Sequence, residues 1–177
     1  MIGARRSLVA AVGAAALVAV AAVAAWAAIS PTYTVAGIEV AATPLEGTFV
    51  GAGTGSSGDK LVWKAVVGHT PLSTNPATPA TITGGSLTAA SYFDGTLTPL
   101  TGTFTGGTVT FDPALSSGAA CGNQVFDVSG SLAVASGSST GTGTFDVYLT
   151  HHRVSLFGRC ITFAATVRGA PGLSLSF

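Results

Sequence analysis

Apolar and polar residues alternate with a period of two along most of the chain after residue 30. In the clearest segment, Ile161, Phe163, Ala165 and Val167 share one parity and threonines dominate the other. Successive side chains of a strand point to opposite sides, so this alternation is typical of antiparallel strands that bury one face. The same period recurs in Leu61–Val67, Phe126–Val134 and Phe145–Leu149.

These runs predict eight or nine short strands, separated by segments rich in Gly, Pro, Ser and Asn. Evenly spaced short strands without a helical period indicate an all-β domain, either an antiparallel β-barrel or a β-sandwich. Residues 70–79 form the most irregular connection, which we interpret as a surface loop within the domain. The candidate strands lie near residues 32–41, 46–54, 59–68, 79–90, 95–98, 101–111, 123–135, 142–152 and 160–168.

A short motif occurs twice, as Thr81–Thr88 and again as Thr103–Thr110. Each copy has one apolar residue before a Gly-Gly pair and another five positions further on. A Gly-Gly hairpin would pair these two residues on one face, whereas a β-bulge would shift the inward parity within one bent strand. We favour the bulge, because a hairpin would leave arms of only about four residues.

The first 29 residues have the layout of an export signal. A basic pair at residues 5–6 precedes an apolar run over residues 8–29, and an A-x-A pattern predicts cleavage between Ala27 and Ala28. A run of about 20 apolar residues is also long enough to remain in the bilayer as an anchor helix that tethers the chain to the membrane. The arginine pair fits an ordinary secretory signal and, as an alternative, the twin-arginine route.

This layout divides the chain into two parts. Residues 1–29 are predicted to form a signal peptide or an N-terminal membrane anchor helix. Residues 30–177, at about 150 residues, match the usual length of one domain. We expect them to form a single β-rich extracytoplasmic domain, secreted or held in the cell envelope.

Charged residues make up only 8% of the chain, against 47% hydrophobic residues. Residues 30–177 carry five basic and seven acidic side chains, a formal charge of −2. Disordered segments have the opposite signature, low hydrophobicity and high net charge, so the domain is expected to fold. No basic cluster is present to neutralise phosphates, and we predict that nucleic acid is not a partner.

Two cysteines, Cys121 and Cys160, are the only ones in the chain. In an oxidising compartment a disulfide between them is the default expectation. Two cysteines without C-x-x-C spacing make a metal site improbable.

The three histidines are the strongest candidates for chemistry. His69 and the adjacent pair His151 and His152 lie at predicted strand ends. Adjacent strand residues point to opposite faces, so the pair cannot easily share one metal ion. A site could add His69 and a carboxylate such as Asp146 or Asp59, but zinc needs three or four ligands and no such set is recognisable. We interpret the histidines as structural and predict no catalytic, cofactor or metal site.

Two glycine-rich motifs resemble functional loops. Gly53 and Gly58 have the spacing of a phosphate-binding loop, but the required Lys is missing and a strand follows, which favours a hairpin turn. Ser139 stands in a G-x-S-x-G match without the strand–turn–helix setting that a nucleophilic serine needs.

Two further groups of residues could form sites on the surface. Asp127 and Asp146 could pair as the carboxylates of a glycoside hydrolase, although outward solvation is the commoner role. Trp63, Tyr92 and Phe93 could form a carbohydrate platform, but Trp63 shares the parity of the core residues.

The C-terminus resembles the closing strand of bacterial outer-membrane barrels, because Leu173, Leu175 and the final Phe177 alternate. The segment after Pro171-Gly172 has only five residues, whereas a spanning strand needs about 9–11.

The sequence thus favours an exported binding or structural module of the cell envelope or exterior, not an enzyme. Its partner is undefined, and an envelope component or a small ligand would both fit. The alternatives are a small enzyme or ligand carrier that uses the barrel mouth with His69, His151, His152 and Asp146, and an eight-stranded outer-membrane barrel.

Overall fold

The computed structural model describes residues 30–177, which fold into a closed antiparallel barrel of eight strands. Each strand pairs with its neighbour along the chain, and β1 closes the barrel by pairing with β8. The all-β prediction is confirmed, and the barrel replaces the alternative of a sandwich. The strands are β1 (Thr32–Thr43), β2 (Glu46–Gly55), β3 (Lys60–His69), β4 (Ala80–Phe93), β5 (Thr96–Asp112), β6 (Gln124–Ser136), β7 (Ser139–Leu156) and β8 (Arg159–Ser176).

The export signal, the anchor helix and the cleavage site between Ala27 and Ala28 lie outside the described residues. Within residues 30–177 no helix is long and apolar enough to cross a membrane.

Two predicted strand boundaries are wrong. The segments 95–98 and 101–111 are parts of the single strand β5, with Pro99 inside it. Pro99 is tolerated because β6 begins to pair with β5 only at Thr101, so no partner on that side needs an N–H from residue 99. The last strand also continues past residue 168 to Ser176, because β8 resumes pairing with β7 after an irregularity near Gly169.

The repeated Gly-Gly motif marks a bend shared by β4 and β5. Ile82 and Leu87 are both buried on one continuous strand, although they are five residues apart. Phe104 and Val109 repeat this arrangement on β5. The register of β4 with β3 shifts before Gly84, and that of β5 with β6 shifts before Gly106. The bulge is therefore confirmed, and the hairpin interpretation is wrong.

The barrel has two different ends. One end, which we call the closed end, carries both ends of the described chain and three short turns, at residues 56–59, 94–95 and 137–138. The other, the open end, carries the turn at residues 44–45, the long connections 70–79 and 113–123, and the turn at residues 157–158.

Apolar side chains and one polar network fill the closed end. Asp59 is buried there, and its Oδ2 accepts a hydrogen bond from the Ser91 hydroxyl at 2.9 Å. Tyr33 approaches the same Ser91 oxygen at 3.5 Å, and burial, as the largest influence, raises the pKa of its phenol. The apolar residues packed at this end are Tyr33, Leu61, Ala89, Leu100, Val134 and Leu175.

Trp63 lies flat inside the barrel wall formed by β1 and β2. Its ring occupies the space that side chains at Gly37 and Gly51 would take, since a Cβ at Gly37 would lie 2.6 Å from the indole. The indole N–H donates to the backbone oxygen of Ala52 at 3.3 Å. The glycines at these inward positions thus leave room for one large aromatic ring.

The predicted cysteine pair lies at disulfide distance, with the Cα atoms of Cys121 and Cys160 5.2 Å apart. Cys121 belongs to the long β5–β6 connection, and Cys160 lies in β8 next to the β7–β8 turn. The bridge therefore links two parts of the open end.

Candidate functional site

A cavity of about 680 Å³ occupies the barrel interior and opens at the open end. It lies above the packed side chains of the closed end, none of which lines it. Its walls are the inward-facing side chains of the strands, mainly aliphatic and aromatic. They include Val35, Phe49, Trp63, Ala65, Leu87, Phe104, Val109, Leu132, Phe145, Leu149, Ala165, Val167 and Leu173.

Two phenylalanines define part of the cavity wall deep in the barrel. The rings of Phe104 and Phe145 meet edge to face with centroids 5.2 Å apart. This contact is a favourable geometry for aromatic pairs. The inner surface at this depth is therefore apolar and aromatic.

Three titratable side chains converge near the mouth of this cavity: Glu39 of β1, His69 of β3 and His151 of β7. Each continues the inward parity of its strand, as shown by the buried residues Val35, Ala65 and Leu149 further down the same strands. The three are half-buried, because the strands end here at the rim.

Burial shifts the titration of two of these groups. The pKa of Glu39 is raised, first by loss of solvation, with the nearby charge of His69 acting in the opposite direction. The pKa of His151 is lowered, first by burial and then by the positive charges of Arg153, His69 and His152. The low-dielectric mouth thus favours the neutral forms of Glu39 and His151.

The hydrogen bond of His69 defines the tautomer of its neutral ring. Nδ1 lies 2.8 Å from the backbone oxygen of Thr70, which can only accept, so Nδ1 carries the proton. In the neutral ring Nε2 is then left as an acceptor. Among the described residues, no hydrogen bond joins the His69 side chain to Glu39 or His151.

The shifts at the mouth predict a pH dependence of stability in two directions. The pKa of Glu39 in the folded protein lies above 4.5, so its contribution to the free energy of unfolding is fully present below pH 4.5 and is lost as the pH rises through the folded pKa. The pKa of His151 in the folded protein lies below 6.5, so its contribution to the free energy of unfolding is fully present above pH 6.5 and is lost as the pH falls through the folded pKa.

His151→Gln is therefore expected to reduce the loss of unfolding free energy between pH 7.5 and pH 5 by a fraction of a kcal/mol. Urea denaturation at both pH values measures this difference. His152→Gln, on the outer face, controls for the loss of an imidazole. An unchanged loss in His151→Gln would contradict the burial of a neutral imidazole at the mouth.

The other residues considered for a histidine site are not brought together. His152 points away from the cavity, and its Nε2 lies 3.1 Å from the Thr166 hydroxyl. Asp146 is exposed on the outer face. Asp59 lies at the closed end, at the opposite end of β3 from His69. Within residues 30–177 no group of three or more His, Cys, Asp or Glu side chains is arranged to hold a metal ion.

The two carboxylates considered for glycoside hydrolysis lie outside the barrel. Asp127 and Asp146 are both exposed and stand diagonally on β6 and β7, since Asp127 pairs with Tyr148. The pKa of Asp127 is raised, first by partial burial and then by the charges of Asp146 and Asp112. Asp146 borders a second cleft of about 370 Å³, formed with Tyr148 and Pro171.

The carbohydrate platform is not assembled either. Trp63 lines the interior cavity, whereas Tyr92 and Phe93 are exposed beside the β4–β5 turn at the closed end. Ser139 begins strand β7, and residues 56–59 form the turn between β2 and β3, as their sequence context indicates.

Glu39 was the residue that sequence reasoning missed. The alternation along β1 could have identified it, because Glu39 has the same inward parity as the buried residues Tyr33 and Val35. A carboxylate that continues a core stripe is unusual and marks either a strand end or a site in the interior.

No protein-family model, curated protein or solved structure matches the chain.

Proposed function

We propose that this chain is an exported binding protein that holds a small apolar molecule inside its barrel. The observation that carries the proposal is the interior cavity of about 680 Å³, which falls within the usual range of roughly 300–1,000 Å³ for ligand sites. Eight-stranded barrels are just wide enough to hold one small ligand when side chains do not fill them.

The polar groups at the mouth suggest the chemistry of the ligand. Glu39, His69 and His151 lie at one end of an otherwise apolar cavity. A few polar groups in an apolar pocket orient a ligand by its hydrogen-bonding end. A molecule with an apolar body and a single hydroxyl or carbonyl group near the mouth fits this arrangement.

The outer face of β4–β7 supports a barrel that works in water, whereas β1 and β3 expose Ile38, Val40 and Val62. Outward positions on β4–β7 are mostly threonine and serine, while the inward positions are aliphatic and aromatic. Outer-membrane barrels have the reverse pattern, an apolar band outside and a polar interior. The outward residues include Thr88, Thr101, Thr103, Thr108, Thr110, Ser129, Ser131, Thr140, Thr142 and Thr144.

The export part of the proposal rests on the sequence of residues 1–29 together with the cysteine pair. Disulfides persist in oxidising compartments outside the cytoplasm. We assign no enzymatic step to the mouth residues, because orientation of a ligand accounts for their position.

Binding of a neutral apolar fluorophore such as N-phenyl-1-naphthylamine tests the proposal. The double variant Ala65→Phe with Ala165→Phe places two rings in the cavity, since both alanines are buried and line it. We expect its affinity for the fluorophore to fall by at least about tenfold, equivalent to roughly 1.4 kcal/mol. Titration followed by fluorescence gives both dissociation constants.

A matched control places the same two rings outside. Ala36 and Ala52 are exposed on the outer face of β1 and β2, so Ala36→Phe with Ala52→Phe adds equal volume without entering the cavity. The proposal expects wild-type affinity in this control. Equal affinity in both double variants, or no binding by the wild-type chain, would contradict the proposal of an interior binding site.

A further inference from the structure

The β7–β8 hairpin extends beyond the rest of the barrel at the open end. Pairing of β7 with β6 stops at His151, and pairing of β8 with β1 stops at Thr166. The residues 152–164 between them pair only with one another. We call this two-stranded projection, residues 152–164, the mouth ribbon.

The mouth ribbon exposes several large apolar side chains that gain no burial in the folded barrel. Phe157 at its tip is 95% exposed, and Phe163, which also lines the cavity mouth, is 68% exposed. Clusters of exposed apolar residues on a folded domain commonly mark a surface that contacts a membrane or a partner. The exposed set in the ribbon is Val154, Leu156, Phe157, Ile161 and Phe163.

Local structure gives no reason for a phenylalanine at the tip. Phe157 adopts a φ of +50°, in the left-handed region, and is followed by Gly158 at +75°. Tight hairpins of this kind favour Asn-Gly or Asp-Gly, as in the Asp94-Gly95 turn at the closed end. An aromatic side chain gains no burial here and fits the backbone less well than asparagine would.

The charge of the ribbon points to an anionic partner. Arg153 and Arg159 flank the apolar tip. No acidic residue lies within residues 152–164 to offset these cations, and the acidic side chains of the open end, Glu39, Glu46 and Asp112, belong to other strands. An apolar tip between basic side chains matches the interface of a bilayer with anionic headgroups, where rings enter the acyl boundary and cations meet phosphates.

The closed end provides an internal contrast. Its β4–β5 hairpin also exposes apolar residues, Tyr92, Phe93 and Leu97. The turn there contains Asp94, which would be repelled by an anionic surface. Exposed aromatics are thus present at both ends, but the closed-end hairpin combines Asp94 with Lys60, which pairs with Tyr92, whereas the mouth ribbon carries Arg153 and Arg159 and no acidic residue.

We propose that the mouth ribbon docks the open end of the barrel on an anionic lipid bilayer, with Phe157 and Leu156 entering the interfacial region. The cavity mouth then faces the membrane surface, from which an apolar molecule can enter without crossing water. The cysteine pair, which ties Cys160 of the ribbon to Cys121 of the β5–β6 connection, holds the ribbon at the rim. Docking does not depend on the ligand proposal and can succeed or fail separately.

Tryptophan quenching by brominated lipids tests the docking on the full chain. Phe157→Trp places a reporter at the tip, and Phe93→Trp places one on the closed-end hairpin as a matched control. Both variants retain Trp26 and Trp63, so each is compared with the wild-type background. Vesicles consist of brominated phosphatidylcholine with or without phosphatidylglycerol.

We expect added quenching in Phe157→Trp on vesicles that contain phosphatidylglycerol, and none above background in Phe93→Trp. Adding Arg153→Gln and Arg159→Gln to the Phe157→Trp chain should raise the lipid concentration needed for this quenching by about 25-fold, since each basic residue near an anionic surface contributes about fivefold. High salt should also weaken the quenching by vesicles that contain phosphatidylglycerol, because it screens the attraction between the arginines and the anionic headgroups.

Three outcomes would overturn the proposal. Absence of quenching in Phe157→Trp would mean that the ribbon contacts something other than lipid, such as a protein. Equal quenching in Phe157→Trp and Phe93→Trp would mean non-specific adsorption or tethering through the N-terminal segment. Unchanged quenching after the two arginine substitutions would remove the anionic headgroup from the proposal. Phe157→Asn introduces a favoured turn dipeptide and should fold at least as well as wild type, so a loss of its co-sedimentation with phosphatidylglycerol vesicles, relative to wild type, cannot be attributed to unfolding.

Discussion

Replacing both cysteines, Cys121→Ser with Cys160→Ser, is expected to lower the free energy of unfolding by about 4 kcal/mol on the chain-entropy model. The two residues are 39 positions apart in sequence, so the bridge closes a long loop and restricts the unfolded chain. The folded barrel should persist, since the cysteines lie outside its core. Urea denaturation of the wild-type and double-variant chains, purified under oxidising conditions, measures the difference.

Reduction provides the control for this experiment. A reductant should lower the stability of the wild-type chain toward that of the double variant and leave the variant unchanged. If the wild-type chain has the same unfolding free energy with and without reductant, the bridge does not form in the purified protein. The argument from cysteine usage to an oxidising compartment would then lose its support.

Gly85→Ala is expected to destabilise the barrel by at least about 3 kcal/mol, because two penalties coincide. Gly85 has a φ of +136°, a region that alanine rarely adopts. A Cβ at this position would also overlap the backbone oxygen of Val66 on the neighbouring strand. Strand β4 cannot move away from β3 without a further energetic cost, because Gly85 lies in the bulge that shifts the inward-facing positions of β4 between Ile82 and Leu87. Thermal and urea denaturation both report the loss.

The adjacent glycine separates the two penalties. Gly84 has a similar φ of +147°, but a Cβ there would meet nothing within 4 Å. Gly84→Ala should therefore cost only the backbone term, of roughly 1–3 kcal/mol, and clearly less than Gly85→Ala. Equal losses in the two variants would show that contact with β3 is not what requires glycine at residue 85.

The alternation of apolar residues predicted most of the barrel. It identified the inward face of β3 from Leu61 to Val67 and that of β7 from Phe145 to Leu149, because a strand with one buried face alternates apolar and polar residues along the sequence. Closure into a barrel could not be read in this way. It depends on the pairing of β1 with β8, a long-range contact that leaves no local pattern.

The interior cavity also lay beyond sequence reasoning. Leu87 and Leu100 are equally apolar and equally buried, yet Leu87 borders the open space and Leu100 packs at the closed end. The difference comes from how far each strand extends and how it bends, which is set by the whole barrel. The mouth residues His69 and His151 were recognised as strand-end histidines, but their convergence with Glu39 follows from barrel closure.

The mouth ribbon illustrates the opposite case. Its composition was visible from the start in Arg153, Phe157 and Arg159. The period-two pattern placed Ile161 and Phe163 on the core face with Ala165 and Val167, but the register of β8 with β7 shifts at Phe163, so Thr162 and not Ile161 lines the cavity mouth. Both Ile161 and Phe163 are exposed, because β8 runs past the end of its pairing with β1. Alternation in the sequence predicts neither the register shift nor the burial of a side chain, which depends on the neighbouring strand.

Methyl NMR of the leucines, recorded during titration with N-phenyl-1-naphthylamine, tests the occupied interior most directly. A bound fluorophore should shift the methyl signals of Leu87, Leu132 and Leu149, which line the cavity. The signals of Leu61 and Leu100, packed at the closed end, should move far less. Shifts confined to exposed leucines such as Leu97, or no shifts at saturating probe, would contradict a ligand held within the barrel.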